Sequence, residues 1–270
     1  MHDKASGQLL IIGGGEDKQG DCQVLQKFIE LSGGCDARIA VITTATEYPQ
    51  EVGDEYKALF SAIGASSVGV LYIKDRETAN DLQQIQEIEN ASGIFFTGGD
   101  QLRLTSILGG SKIEAAIRSG FVKGAVIAGT SAGASVMSDT MIVGGDSSDT
   151  PKKSSLSMAH GMSLLNGVVI DQHFAQRGRI NRLLAAVSQN PNVLGIGIDE
   201  DTAIVVSPDG RCEVTGSQTV TIVDGKNIVH SNISESKRHD PLAITNVTLH
   251  ILPSGFGFNL KRRLPFICRT

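Results

Sequence analysis

Val126-Ile127-Ala128-Gly129-Thr130-Ser131-Ala132-Gly133-Ala134 carries an apolar strand pattern into G-x-S-x-G and on into a small-residue helix. That is the context of a nucleophile elbow. Glycines at 129 and 133 let strand and helix approach closely, and the turn projects the Ser131 hydroxyl from the carboxyl edge of a sheet. The N–H of Ala132 then points to where an oxyanion would develop. G-x-S-x-G strings also arise by chance in Gly- and Ser-rich chains, so the flanking strand and helix carry the reading.

A serine needs a base, most often a histidine held by an acid. Among the six histidines, His2, His230 and His239 lie at the terminus or beside polar turns, His160 follows a long polar stretch and His250 sits in a late strand. His173 differs. It follows the mostly apolar segment Leu165 to Ile170, within Asp171-Gln172-His173-Phe174, at a strand end where sheet proteins assemble sites. Three carboxylates, Asp199-Glu200-Asp201, close another core strand pattern, Ile196-Gly197-Ile198. Alternation puts Asp199 and Asp201 on one face and Glu200 on the other, and leaves open which of them orients His173. Such a trio can hold a metal, but no second acidic cluster or histidine adjoins it in sequence, and serine chemistry needs none.

Arg177, Arg179 and Arg182 follow directly. If a helix begins near 179, Arg179 and Arg182 share a face at i, i+3, and guanidinium forks beside a base suit bidentate capture of carboxylates. The competing reading is a basic face paired with neighbouring acids. Gly13-Gly14-Gly15 after the first strand is not a dinucleotide fingerprint, because that spacing needs a glycine where Lys18 stands; a tight strand-to-helix turn is expected instead.

These residues need a sheet to hold them. Strands are expected at Gln8 to Ile12, Arg38 to Thr43, Ser67 to Ile73, Gly93 to Phe96, Gly124 to Ala128 and Val193 to Ile198. Helices are expected at Lys18 to Leu31, Pro49 to Ile63, Thr78 to Asn90, Leu102 to Leu108, Lys112 to Ser119 and Arg179 to Ser188. Such alternation yields an α/β fold, a mostly parallel sheet with helices on both faces. After Thr202 the texture changes to Thr202 to Ser207, Thr219 to Val223 and Thr245 to Leu252, separated by turn residues, so additional antiparallel strands are expected toward the C-terminus. No composition break acts as a linker, and residues 1–270 read as one domain. The polar stretches Gly144 to Ser157 and Ser231 to Asp240 are long for connections and read as solvated loops, the first placed to line or cover a site.

Composition narrows the partners. With 24 basic against 29 acidic residues, a net charge of -5 and no basic run, a nucleic-acid partner is not expected. Only 4% of residues are aromatic and none is Trp, which leaves few stacking platforms for bases or sugars. No apolar run approaches the ~18 residues of a membrane span, and none suits a signal peptide, so a cytoplasmic protein without membrane association is expected. Cys22, Cys35, Cys212 and Cys268 form no C-x-x-C pair and are expected as free thiols.

Taken together, Gly13-Gly14-Gly15-Glu16, Phe96-Thr97-Gly98-Gly99-Asp100-Gln101, Gly129 to Ala134, Asp171-Gln172-His173-Phe174 with its arginines, and Gly197-Ile198-Asp199-Glu200-Asp201 make the chain resemble the cyanophycinase family. These are serine peptidases, and the wider family also contains aspartyl dipeptidase. The resemblance spans most of the chain and implies a fold like the class I glutamine amidotransferases. It implies Ser131 as nucleophile, His173 as base, Glu200 as orienting acid and an oxyanion hole from Gly98, Gly99 and Ala132. The implied substrate is cyanophycin (multi-L-arginyl-poly-L-aspartate), a poly-aspartate whose β-carboxyls are amide-linked to arginine α-amino groups; the implied product is β-Asp-Arg. Substrate contacts are expected from Gln101, Asp171, Gln172, Arg177, Arg179 and Arg182, with Asp171 helping to receive the arginine head. Neither metal nor organic cofactor is implied, and the assembly implied is a homodimer. A dipeptidase of the same fold would share the serine but lack the Asp-Gln pair and triple arginine set. A non-catalytic binding protein would have lost one of Ser131, His173 and Glu200.

Overall fold

Apolar runs that alternate with amphipathic helices bury themselves by pairing side by side, and the computed structural model, which describes residues 6–145, 150–153 and 156–268, has that arrangement. Leu9–Ile12, Val126–Thr130, Gly93–Phe96, Arg38–Ile42 and Ser67–Leu71 lie adjacent in that order, all parallel. On the other side of Leu9–Ile12 the sheet continues antiparallel through Thr202–Val206, Arg211–Gly216, Phe256–Asn259 and Leu264–Ile267, giving nine strands.

Side-chain alternation divides the core into two layers. Leu10 and Ile12 pack with Leu25 and Phe28 of helix Gln23–Leu31 and with Tyr56 and Phe60 of helix Pro49–Ile63. Leu9 and Ile11 pack on the opposite face with Ile88, Leu104 and Ile117, from helices Leu82–Asn90, Gln101–Leu108 and Lys112–Lys123. With both faces covered, the central strands are apolar throughout and read as unbroken hydrophobic runs.

The strand expected at Val193 to Ile198 forms over Leu194–Ile198, but in a second sheet apart from the body strands. It pairs in parallel with Val168–Asp171 and antiparallel with Thr219–Asp224, which Thr248–Pro253 flanks. The inner face of this sheet, including Ile170, Ile196, Ile198 and Val220, joins the Leu9 and Ile11 layer. Its outer face is covered by helix Ile180–Gln189, through Leu183 and Val187 on Val169 and Val223. The two sheets thus share one core, and their carboxyl ends meet.

Local chemistry explains the shifted boundaries. The first helix starts at Gln23 instead of Lys18, because the Asp17 carboxylate accepts from the N–H groups of Gln19 (3.0 Å), Gly20 (2.8 Å) and Cys22 (2.9 Å) and holds a turn in place of a helix. Asp81 divides the stretch Thr78 to Asn90, ending a 3₁₀ turn and capping helix Leu82–Asn90 through Gln83 and Gln84 N–H. Thr140–Gly144 and Ser157–His160 pair as an antiparallel ribbon at the ends of the first polar stretch, whose residues 146–149 and 154–155 lie outside the described residues. No helix among the described residues is long and apolar enough to cross a membrane.

Candidate active site

The turn at Ser131 depends on two missing side chains. A Cβ at Gly129 would lie 2.4 Å from the Gly133 carbonyl oxygen, and one at Gly133 would lie 2.4 Å from that of Phe96. The close approach leaves Ser131 at φ 53, ψ -109, outside the regions an L-residue normally occupies. Such a conformation costs ~1–3 kcal/mol and persists only where its surroundings over-determine it. Here the Ser131 N–H is held by the Ile12 carbonyl at 3.1 Å.

His173 leaves the end of Val168–Asp171 and also has positive φ, at 46. Its N–H donates to the Gly13 carbonyl (2.7 Å) and the next N–H, of Phe174, to the Ile198 carbonyl (3.1 Å), so the residue bridges the two sheets. Nε2 lies 3.0 Å from Ser131 Oγ and Nδ1 lies 2.6 Å from Glu200 Oε1. With the carboxylate on the Nδ1 side, Nδ1–H donates to Glu200 and Nε2 is left to accept from the serine hydroxyl. Burial pushes the imidazole pKa below its ordinary 6.5; the Glu200 hydrogen bond opposes this, and the charge of Arg177 reinforces it. The neutral, proton-accepting form is therefore favoured at neutral pH.

The structure separates the three carboxylates that alternation left open. Glu200 turns to His173. Asp199 instead accepts from Ala175 N–H (3.0 Å) and from the Thr219 hydroxyl (2.7 Å), tying the segment after His173 to the second sheet. Asp201, at φ 49, donates its N–H to the Gly14 carbonyl (2.9 Å) and accepts from Asp17 N–H (2.9 Å). The Gly13-Gly14-Gly15 turn is thereby clamped against the triad of side chains. A Cβ on Gly14 would lie 2.4 Å from His173 Cε1, and one on Gly15 would lie 3.0 Å from the Glu200 carboxyl carbon.

Gly98 adjoins the serine, since a Cβ there would lie 3.5 Å from Ser131 Cβ; Gly99 follows at φ 141, and Ala132 opens the turn Ala132–Ser135. Half-buried Gln101 begins helix Gln101–Leu108 and its Nε2 donates to the Ile142 carbonyl at 2.8 Å.

Asp171, expected to help receive an arginine head, is 1% exposed and already engaged. Arg182 grips it through Nε (2.7 Å) and Nη2, and Arg179 Nη1 approaches at 3.4 Å. Arg179 and Arg182 do share a face, but it points inward, where the Asp171 carboxylate takes both guanidinium groups. Arg179 also donates to the Gln172 side-chain oxygen at 2.9 Å, and burial lowers its pKa to about 10. Its buried Nε has no partner among the described residues, and Arg177 is exposed.

Among the described residues no group of three or more His, Cys, Asp or Glu is arranged to hold a metal. The cysteines are free; burial pushes the Cys212 thiol up to about 12, which keeps it protonated.

Sequence reading gave no role to Glu16, Tyr56, Lys18 or Glu55, which line a cavity of about 240 Å³ that opens at Ser131. The available signal was an acid directly after a glycine turn at a strand end. Tyr56, Lys18 and Glu55 carried none, because only tertiary folding brings them there.

Peptidase family S51 matches residues 9–213. A cyanophycinase of Geminocystis herdmanii is 43% identical over 258 residues, covering 95% of both chains. A cyanophycinase of Trichormus variabilis is 42% identical over 264 residues, covering 97% of this chain and 89% of that one. Among solved structures, a peptidase from an acI-B1 Actinobacterium superposes with TM-score 0.71 at 21% identity, over 95% of this chain and 98% of that one, a likeness of fold.

Proposed function

Since the chain belongs to peptidase family S51, we propose that it hydrolyses cyanophycin, and that Ser131, His173 and Glu200 are the triad that does so. One observation carries the catalytic part: the unbroken relay from Ser131 Oγ to His173 Nε2 at 3.0 Å and from Nδ1 to Glu200 at 2.6 Å. Two sheets supply its members, so residues 1–270 act as one catalytic unit.

His173 Nε2 takes the hydroxyl proton as Ser131 Oγ attacks the carbonyl carbon of a backbone aspartyl amide. Negative charge moves to the carbonyl oxygen, which the N–H groups of Ala132 and of Gly98 or Gly99 receive. Collapse expels the amine, which takes the proton from the imidazolium, and leaves an ester on Ser131. Water then attacks that ester with His173 again as base, freeing the acyl part as a carboxylic acid and restoring the serine, so that the two half-reactions together release β-Asp-Arg. Glu200 holds the Nδ1–H tautomer and stabilises the imidazolium.

In this reading exposed Arg177 meets a substrate carboxylate and the side-chain oxygen of Gln101, whose Nε2 is engaged with Ile142, accepts from a substrate amide N–H. Arg179, Gln172, Asp171 and Arg182 form the braced wall behind them. A cytoplasmic homodimer is the location and assembly the family suggests, and sedimentation of the purified protein checks the latter.

Incubation with insoluble cyanophycin tests the reading. Clearing with accumulation of β-Asp-Arg by mass spectrometry is expected, and Ser131→Ala should lower turnover on the order of 10⁴-fold or more while remaining folded. Free arginine as first product, or brisk hydrolysis of casein, would exclude it.

A further inference from the structure

The proposed substrate carries a guanidinium on every repeat, and with Asp171 locked in its own ion pairs, another anionic group must meet it. The cavity on the other side of the nucleophile supplies one. It lies between the turn Gly13-Gly14-Gly15-Glu16 and helix Pro49–Ile63, and Ser131 forms part of its wall.

Glu16 is 7% exposed within it. One carboxylate oxygen accepts from the Thr130 hydroxyl at 2.6 Å and the other from the Tyr56 hydroxyl. Burial and the Glu16 charge push the Tyr56 pKa well above its ordinary value, so the phenol stays a neutral donor. Both partners donate to the carboxylate without neutralising it, and Glu16 takes part in none of the ion pairs seen among the described residues. A carboxylate has about four lone-pair sites, so two remain for another donor. A buried charge left without a counter-ion is costly, and the arrangement is therefore poised for a cation.

A cation already stands nearby. Lys18 Nζ lies 4.2 Å from the centroid of the Tyr56 ring and 3.2 Å from Glu55 Oε2 at the cavity rim. The ring face it covers is one on which a planar guanidinium stacks well. Glu16 and Glu55 against Lys18 leave the cavity with one excess negative charge.

We propose that this cavity is the subsite for the substrate's guanidinium, with Glu16 as the receiving carboxylate and Lys18, held by Glu55 over the Tyr56 ring, as the internal cation that the guanidinium must displace from that ring. The assignment rests on cyanophycin being the substrate. It places cation recognition on the Glu16 side of Ser131 and carboxylate recognition on the Arg177 side, so one repeat is read in two directions from the scissile bond.

Calorimetric titration of the intact protein with β-aspartyl-arginine and with β-aspartyl-citrulline, whose side chain is the neutral isostere, tests this. The wild type should prefer the arginine form. Glu16→Gln should weaken that form roughly 10- to 100-fold, as expected for losing a charged hydrogen-bond partner, and leave the citrulline form unchanged. Lys18→Met, a change at a partly exposed residue that folding tolerates, should tighten the arginine form. Equal binding of the two ligands by the wild type, an unchanged preference in Glu16→Gln, or weaker arginine binding in Lys18→Met would overturn the subsite. Polymer clearing by the same wild-type sample is scored separately: its failure removes the substrate reading, whereas clearing with unchanged ligand preferences removes only the subsite.

Discussion

Replacing Gly14 with alanine should uncouple catalysis from stability. The new methyl would lie 2.4 Å from His173 Cε1 and 2.5 Å from Nε2. Carbon atoms rest ~3.5–4.0 Å apart, so the imidazole must withdraw by about 1 Å or more. It has no slack, because Glu200 holds Nδ1 at 2.6 Å and the His173 N–H is fixed to Gly13 at 2.7 Å. The 3.0 Å contact between Ser131 Oγ and Nε2 is therefore the one that opens, past the range of a hydrogen bond. A misplacement of ~1 Å is worth on the order of 10²-fold in rate, about 2.7 kcal/mol of barrier. Gly14 also has φ 94, where an L-residue costs ~1–2 kcal/mol of stability. Gly34→Ala separates the two effects, since Gly34 has φ 61 and nothing within 4 Å of the added methyl. It should lose comparable stability in urea unfolding and keep wild-type kcat. Initial rates on the polymer with both variants decide the matter. A Gly14→Ala enzyme with kcat within about threefold of wild type, or a Gly34→Ala enzyme with the same kcat loss, would refute the claim that this glycine exists to admit the imidazole.

Glu200→Gln should lower kcat on the polymer by far more than Asp199→Asn or Asp201→Asn, because only Glu200 bonds the imidazole; Asp199→Asn should instead lower the unfolding midpoint, by weakening the ties to Ala175 and Thr219. Because the base works neutral and burial depresses its pKa, the acidic limb of kcat/KM should lie below pH 6.5, and Arg177→Ala, which removes a charge that disfavours the imidazolium, should move that limb upward. Asp171→Asn leaves two buried guanidinium groups without their carboxylate and should cost about 3–5 kcal/mol in denaturant unfolding, whereas Arg177→Ala at an exposed site should change stability by no more than about 0.5 kcal/mol.

Sequence alone determined the features that depend on neighbours along the chain. An apolar run entering G-x-S-x-G, with small residues where backbones must touch, specifies the Ser131 elbow locally. Pro49–Ile63 and Gly93–Phe96 form as expected, since periodicity and flanking turn residues act over a few positions. His173 and the Asp199-Glu200-Asp201 trio were legible as strand-end groups for the same reason. Tertiary structure decided everything that depends on direction and pairing. The strand ends at Ile198, so which of the three carboxylates meets the imidazole is decided by what lies against each: His173 against Glu200, Ala175 and Thr219 against Asp199, and Asp17 against Asp201. Leu194–Ile198 finds its partners in a second sheet because pairing joins strands far apart in sequence, which no local pattern encodes. Arg179 and Arg182 share a face as helical spacing requires, yet whether that face meets solvent or Asp171 depends on how the helix docks. A helical period specifies which residues lie together; the packing of sheet on sheet and helix on sheet specifies what they lie against.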